Sequence, residues 1–101
     1  MDSKYWEDKD VTDNDFEFIL EKLGMKIKLT RIESKLTVLQ LSQINGISDS
    51  YLSRIENGKV KAPSLRLYLR IINSLNICPS ELFDILDELP PFDSIKKKRK
   101  D

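Results

Sequence analysis

The sequence predicts an all-α domain, and three observations carry this prediction. Apolar residues recur at helical spacings of three and four through the centre of the chain, whereas the alternating runs typical of strands are missing. Polar caps, glycines and prolines divide this pattern into short segments. The chain has 101 residues, of which 40% are hydrophobic, so it can form one modest core but not two.

The first part of the predicted domain contains two helical segments. Asn14 or Asp15 is expected to cap the first segment, and Gly24 is expected to interrupt or bend the chain after it. The second segment covers residues 25–35. Residues 1–15 are acidic with little apolar periodicity, and we expect them to be disordered.

Four further helices are indicated by local signals at their ends. A Gly follows an Asn after two of them, at Asn45-Gly46 and at Asn57-Gly58, as in left-handed helix stops. Their starts are marked by polar caps or by proline: Thr37 with Gln40 as a capping box, Ser48, Ser64 and Pro79. Pro90-Pro91 ends the last helix, so the domain is predicted to cover residues 16–89, before a flexible basic tail over residues 90–101.

The composition excludes several classes of protein. With no His and with Cys78 as the single cysteine, the chain has no His-based triad or zinc site and no internal disulfide. No apolar run is long enough for a membrane span, and the N-terminus lacks the apolar region of a signal peptide, so the default compartment is the cytoplasm. No catalytic constellation, cofactor loop or metal-ligand cluster is present. We therefore expect neither an enzyme nor a cofactor.

Charge is distributed in blocks, although 17 Lys and Arg balance 17 Asp and Glu overall. Residues 1–21 have a net charge of −6, residues 22–75 of +7, residues 76–95 of −5 and residues 96–101 of +4. A net charge of zero at first argues against a nucleic-acid partner, but the basic central block leaves a polyanion site open.

The informative segment is residues 36–58, where two short helices are joined by a turn that contains Gly46. This arrangement is typical of a helix-turn-helix unit. Apolar residues of both helices are expected to lock them together, which leaves a polar outer face on the second helix. Asp49, Ser50, Ser53 and Arg54 lie on that face, and short hydrogen-bonding side chains suit a helix that reads the major groove.

Residues 24–83 resemble the lambda-repressor/Cro-type helix-turn-helix domain, also called the XRE family. The resemblance is carried by Gly46-Ile47-Ser48, by the run from Ser50 to Lys59 and by Pro63-Ser64-Leu65. It implies a compact five-helix domain, to which this chain adds an N-terminal helical segment. The resemblance implies that double-stranded DNA is the partner, with base contacts from Ser48, Asp49, Ser50, Ser53 and Arg54. It implies backbone contacts from Thr37, Tyr51, Asn57, Lys59, Lys61 and Ser64.

The resemblance also implies a structural ion pair between Arg31 and Glu56. For Asp49 three roles stay open: acceptance from cytosine, pairing with Arg54, or a favourable charge at the helix start. Lys35 stands where the family commonly has Gly. Leu29 and Ile32 are apolar where the family is often polar, and we expect four residues of the first segment to cover them: Phe16, Phe18, Ile19 and Leu20.

The sequence therefore predicts a sequence-specific transcriptional regulator, most simply a repressor that binds a palindromic operator as a homodimer. Ile85, Leu86 and Leu89 extend beyond what one small domain must bury, and they are the predicted dimer contacts. An alternative is an antitoxin-like interaction module that binds a partner protein through the acidic N-terminus and binds DNA secondarily.

Overall fold

A computed structural model of the chain describes residues 11–87, except for the side chains of residues 83 and 85–87. Its five α-helices are Asp13–Glu33 (α1), Val38–Asn45 (α2), Asp49–Glu56 (α3), Leu65–Ser74 (α4) and Pro79–Asp87 (α5). No strand occurs among the described residues. The predicted all-α fold class is confirmed.

The first helix differs from the prediction. The Thr12 hydroxyl caps it by accepting a hydrogen bond from the Asp15 amide at 3.0 Å, so the helix begins at Asp13 rather than after Asn14 or Asp15. It then runs for 21 residues without a break at Gly24. The two predicted segments are thus one helix. Residues 13–15 of the predicted disordered segment belong to this helix and Thr12 caps it, while residues 1–10 lie outside the described residues.

Packing against α3 explains why a glycine lies inside α1. A Cβ at Gly24 would overlap the carbonyl oxygens of Ile55 and Glu56, where the C-terminal end of α3 crosses α1. Glycine in a helix costs about 1 kcal/mol relative to alanine, and the close approach of the two backbones offsets that cost. The prediction that Gly24 interrupts the helix is therefore wrong, because a tertiary contact determines this glycine.

The predicted caps of the central helices are present. The Gln40 amide donates to Thr37 Oγ1 at 3.1 Å, and the Thr37 amide donates to Gln40 Oε1 at 2.8 Å, which completes the capping box. The Ser48 hydroxyl accepts from the Tyr51 amide at 3.1 Å. Gly46 adopts φ +66°, a conformation that side chains with a Cβ rarely adopt. These local signals fix the ends of α2 and the start of α3.

The core places α3 between α1 and α2. Leu52 and Ile55 of α3 are completely buried, and they meet Ile27 of α1 and Leu41 of α2 in one apolar cluster. Helix α4 closes the cluster on the other side of α2. Only the outer face of α3 is left to solvent, and this is the face that the sequence predicts to be functional.

A buried tyrosine of α4 contributes to this core. Burial, and secondarily the neighbouring Tyr51, raises the pKa of Tyr68 to about 12. The Tyr68 phenol is therefore neutral at physiological pH, as its buried position requires.

The predicted cover over Leu29 and Ile32 is absent, so that hypothesis is wrong. These side chains are 51% and 52% exposed, respectively. Because α1 is one continuous helix, Phe16 and Phe18 lie further along the same rod and cannot fold back over its C-terminal half. Leu20 is buried in the core instead.

Candidate nucleic-acid interface

Helix α3 has a buried face and a polar outer face. Leu52, Ile55 and Glu56 are buried on one side, whereas Asp49, Ser50 and Arg54 are exposed. Ser53 and Tyr51 are half-buried between the two faces. The exposed side chains near the start of the helix are short, which allows the backbone of α3 to approach a flat or grooved partner closely.

The start of α3 is a cluster of hydroxyl and carboxylate groups. The Ser48 and Ser50 hydroxyls lie 3.5 Å apart, and Asp49 Oδ1 accepts from the Ser50 amide at 2.8 Å. Within the described residues Asp49 forms no ion pair with Arg54. The structure therefore favours the helix-start role for Asp49, where a negative charge interacts favourably with the N-terminal amides. A contact between Asp49 and a base stays a prediction.

Arg54 lies in the last turn of α3 and its side chain is exposed. Its guanidinium makes no hydrogen bond or ion pair with any other residue that the structure describes. All five of its N–H donors are then available to a ligand. A planar fork of this kind matches the O6 and N7 acceptors of guanine or two phosphate oxygens.

The loop after α3 presents two lysines on a fixed backbone. Gly58 adopts φ +68°, and the Lys59 amide donates to the Arg54 carbonyl at 2.8 Å, which turns the chain away from α3. The Val60 side chain is buried in the core, while Lys59 and Lys61 on either side of it are exposed. Burial of Val60 thus directs both ammonium groups to the surface, as phosphate binding requires.

Asn57 has a structural role at the end of α3, because its Nδ2 donates to the Ser53 carbonyl at 2.8 Å. The amide group still has a second N–H to offer. The residue is exposed, and its contact with a phosphate stays a prediction.

Two further helix starts carry predicted backbone contacts. The Thr37 and Ser64 hydroxyls accept from the amides of Gln40 and Leu67, each at 3.1 Å, which leaves the hydroxyl hydrogens free to donate. Both residues are exposed. Sequence reasoning missed Arg66, which is exposed in the first turn of α4 beside Ser64. A basic residue in the first helical turn after a serine cap is a signal for a phosphate contact, and this signal was present in the sequence at Arg66.

An acidic surface lies next to the basic loop, and this too was missed. A cavity of about 460 Å³ separates Asp13, Glu17 and Glu21 of α1 from Lys59 and Lys61. None of these acids lies within 4.0 Å of a lysine ammonium in the described part of the chain. Opposite charges at somewhat longer range still interact, because the Debye length is about 8 Å at physiological salt. The continuity of α1 brings these acids beside the loop.

The structural ion pair implied by the resemblance is present. Arg31 Nε donates to Glu56 Oε2 at 2.7 Å, and Arg31 Nη2 donates to Glu56 Oε1 at 3.1 Å. Both side chains are buried. The pair therefore holds α3 against α1, and because both side chains are buried, neither can contact a ligand directly.

The predicted dimer contacts cannot be placed in the same way. Ile85 and Leu86 belong to α5, but their side chains lie outside the described residues, as does all of Leu89. The described residues contain no group of three or more His, Cys, Asp and Glu side chains suited to a metal ion. None of the described helices is long and apolar enough to cross a membrane.

Two curated relatives from Bacillus subtilis (strain 168) resemble the chain in sequence. The HTH-type transcriptional repressor RghR is 38% identical over 58 residues, which is 57% of this chain and 43% of RghR. The HTH-type transcriptional regulator SlrR is 36% identical over 62 residues, which is 61% of this chain and 41% of SlrR. The chain therefore spans less than half the length of these relatives.

Solved structures show the same fold. The clp gene regulator ClgR from Corynebacterium glutamicum aligns with a TM-score of 0.63 at 23% identity, over 71% of this chain and 92% of that chain. The restriction-modification controller protein C.AhdI from Aeromonas hydrophila aligns with a TM-score of 0.58 at 31% identity, over 63% of this chain and 96% of that chain.

Family membership follows from the match of residues 24–88 to the family described as helix-turn-helix domain. This match covers more than half of the chain and includes α2, α3 and the basic loop. The family consists of transcription regulators rather than enzymes. The chain belongs to the helix-turn-helix domain family, in its lambda-repressor-like form.

Proposed function

We propose that this chain is a sequence-specific DNA-binding transcriptional regulator that reads an operator with the outer face of α3. The observation that carries the proposal is an exposed Arg54 on that face, whose guanidinium has no hydrogen-bond or ion-pair partner among the described residues, together with two exposed lysines on the loop that follows. Base contacts supply sequence preference, and phosphate contacts supply affinity and register. One short helix and its following loop thus offer both kinds of contact.

The start of α3 supports insertion into the major groove. Ser48, Ser50 and Ser53 are small and carry hydroxyls that donate or accept, so they can adapt to base edges on either strand. Arg54 adds a bidentate donor that suits guanine. Asp49 is proposed to favour a site in which its free carboxylate oxygen faces a cytosine amino group rather than a phosphate.

The backbone contacts are proposed to come from both sides of α3. Lys59 and Lys61 hold one stretch of phosphates, and Asn57 and Tyr51 lie beside them. The helix starts at Thr37 and Ser64 present amides and hydroxyls with partial positive charge, to which phosphates bind readily. This arrangement fixes α3 in the groove from several directions.

A homodimer on a palindromic operator is part of the proposal. A single helix-turn-helix domain buries too little DNA for tight specific binding, and a two-fold dimer places two recognition helices about 34 Å apart. RghR is named a repressor, and we propose repression by occupancy of the operator for this chain as well. A cytoplasmic location belongs to the same proposal.

Selection from a random DNA library, at a stated salt concentration, tests the proposed function. We expect enrichment of a site with two inverted half-sites whose centres are about one helical turn apart. Enrichment of an unpaired half-site would contradict the dimer but leave DNA recognition standing. No enrichment would overturn the proposal in favour of the antitoxin-like module that binds a partner protein.

A further inference from the structure

Four large apolar side chains form an exposed stripe along α1. Phe18, Met25, Leu29 and Ile32 are 40%, 54%, 51% and 52% exposed, and we call them the α1 stripe. Their spacing of seven, four and three residues puts them on one side of the helix. Lys22 lies in the same row, with its ammonium 5.5 Å from the centre of the Phe18 ring, so its aliphatic stem fills the gap in the stripe.

The stripe lies on the side of α1 that faces away from the core. Gly24, Ile27 and Arg31 are buried on the opposite side, where α1 packs against α3. The polar outer face of α3 is therefore a separate surface, and an occupant of the stripe does not cover Arg54. Half-exposed side chains of this size form an apolar patch on the order of 400 Å², which is the size of the largest patch on a typical monomer and is often a site of interaction.

The order of apolar positions is that of a two-helix seam. Phe18, Lys22, Met25, Leu29 and Ile32 follow one another at alternating intervals of four and three residues, which is the heptad pattern of paired helices. Since residues on one such row can pack against a second copy of the same row, the pattern favours self-association. We propose that two copies of this chain pair through the α1 stripe, with their α1 helices antiparallel.

Charge blocks along α1 favour the antiparallel orientation. Residues 13–21 contain four acids and no base, whereas residues 22–35 contain five bases and one acid. A parallel pair places the two acidic ends side by side, and an antiparallel pair places each acidic end beside a basic half. Antiparallel helices also align their dipoles favourably. Over the two halves of α1 as a whole, the antiparallel orientation is thus the one that brings opposite charge blocks together.

The residues that flank the stripe make the orientation testable. In an antiparallel seam the same flank of each helix meets its copy, so Glu21 lies opposite Lys28 of the second copy in the register that pairs Phe18 with Leu29 of the second copy. In a parallel seam Glu21 instead lies opposite Lys26 of the second copy, and Lys28 opposite Glu33. Exchanging the charges at positions 21 and 28 therefore restores attraction only in the antiparallel pair.

This inference deepens the homodimer of the proposed function, but its test contains no DNA. Sedimentation equilibrium of the full chain over a range of concentrations is expected to show a monomer–dimer equilibrium. Leu29→Glu is expected to weaken the dimer at least tenfold, because it places a carboxylate in the apolar seam of both copies. Leu39→Glu is the matched control, since Leu39 is 53% exposed on α2 and lies outside the stripe. Circular dichroism checks that both variants are folded.

The charge exchange then tests the orientation. Glu21→Lys and Lys28→Glu are each expected to weaken the dimer several-fold, and the double variant to return to the wild-type dissociation constant. A double variant weaker than both single variants would overturn the antiparallel pair in favour of the parallel one.

A wild-type chain that stays monomeric, or a Leu29→Glu dimer as tight as the wild type, would overturn the stripe as an interface. After the second result, Ile85, Leu86 and Leu89 would again be the proposed dimer contacts. Loss of operator binding with an intact dimer would count against the proposed function alone.

Discussion

Arg31 of α1 and Glu56 at the end of α3 form a buried, two-pronged ion pair, with Nε donating to Oε2 at 2.7 Å and Nη2 to Oε1 at 3.1 Å. Arg31 Nη1 also donates to the Leu36 carbonyl at 2.8 Å. One guanidinium therefore joins α1, the turn before α2 and α3. The orientation of α3 depends on this group.

Removal of either partner of this pair is expected to destabilise the domain strongly. Arg31→Met leaves the Glu56 carboxylate buried and unpaired, and such losses cost about 3 to 5 kcal/mol. Arg31→Lys is expected to recover only part of the stability, because an ammonium cannot form the two-pronged contact. Urea unfolding followed by circular dichroism measures both effects. An Arg31→Met variant within about 0.5 kcal/mol of the wild type would contradict the structural role of the pair.

Gly24→Ala is expected to destabilise the domain, although alanine is the better helix former. The added methyl would overlap the backbone of Ile55 and Glu56, and overpacking of this kind costs about 1 to 3 kcal/mol. Thr30→Ala, at a half-exposed position of the same helix, is expected to leave stability unchanged or raise it slightly. Thermal unfolding of the two variants compares them directly. A Gly24→Ala variant more stable than the wild type would show that α1 and α3 do not approach each other this closely.

Lys35→Gly is expected to stabilise the domain. Lys35 adopts φ 59°, a left-handed conformation that costs a side chain with a Cβ about 1 to 2 kcal/mol. Glycine loses more backbone entropy on folding, so the expected net gain is about 0.5 to 1 kcal/mol. Urea unfolding measures the gain, with Lys28→Gly inside α1 as the destabilised control. A loss of stability for Lys35→Gly would contradict the left-handed backbone at this position.

Glu17→Gln is expected to strengthen DNA binding for all sequences alike. Glu17 lines the cavity that faces Lys59 and Lys61, so its carboxylate lowers the positive potential of the loop that we propose contacts phosphates. The gain is expected to be about two- to fivefold at low salt and to fade as salt screens the charges. Fluorescence anisotropy with labelled duplexes measures it. Glu81→Gln, which changes an exposed acid of α5, controls for net charge, and an equal gain from it would refute a local effect.

Much of this fold was predictable because its signals are local. A serine or threonine before an apolar run and a glycine after it act within one turn of helix, so Thr37, Ser48 and Ser64 marked the starts of α2, α3 and α4 correctly, and Gly46 marked the end of α2. The face of α3 followed from the same periodicity. The exposed positions of Asp49, Ser50 and Arg54 were accessible to sequence reasoning for this reason, whereas the proposed backbone contacts came from the family resemblance.

The parts that were not predictable depend on packing between distant residues. Gly24 reads locally as a helix breaker, and only its contact with the end of α3 shows why α1 continues through it. The acidic surface beside Lys59 depends on that continuity, because the acids of α1 and the loop lie far apart in the sequence. The exposed α1 stripe was not predicted for the same reason, because the expected cover over Leu29 and Ile32 required a break in the helix at Gly24.

The central claim is that Arg54 reads bases while Lys59 binds phosphate. The most direct test measures the dissociation constants of the wild type and of the Arg54→Ala and Lys59→Ala variants for the selected operator and for a scrambled duplex, at several salt concentrations. Arg54→Ala is expected to lower the ratio of operator to scrambled affinity, with a loss of about 1 to 3 kcal/mol on the operator. Lys59→Ala is expected to leave that ratio unchanged and to reduce the salt slope by about 1. Equal effects of the two variants on the ratio would contradict the account.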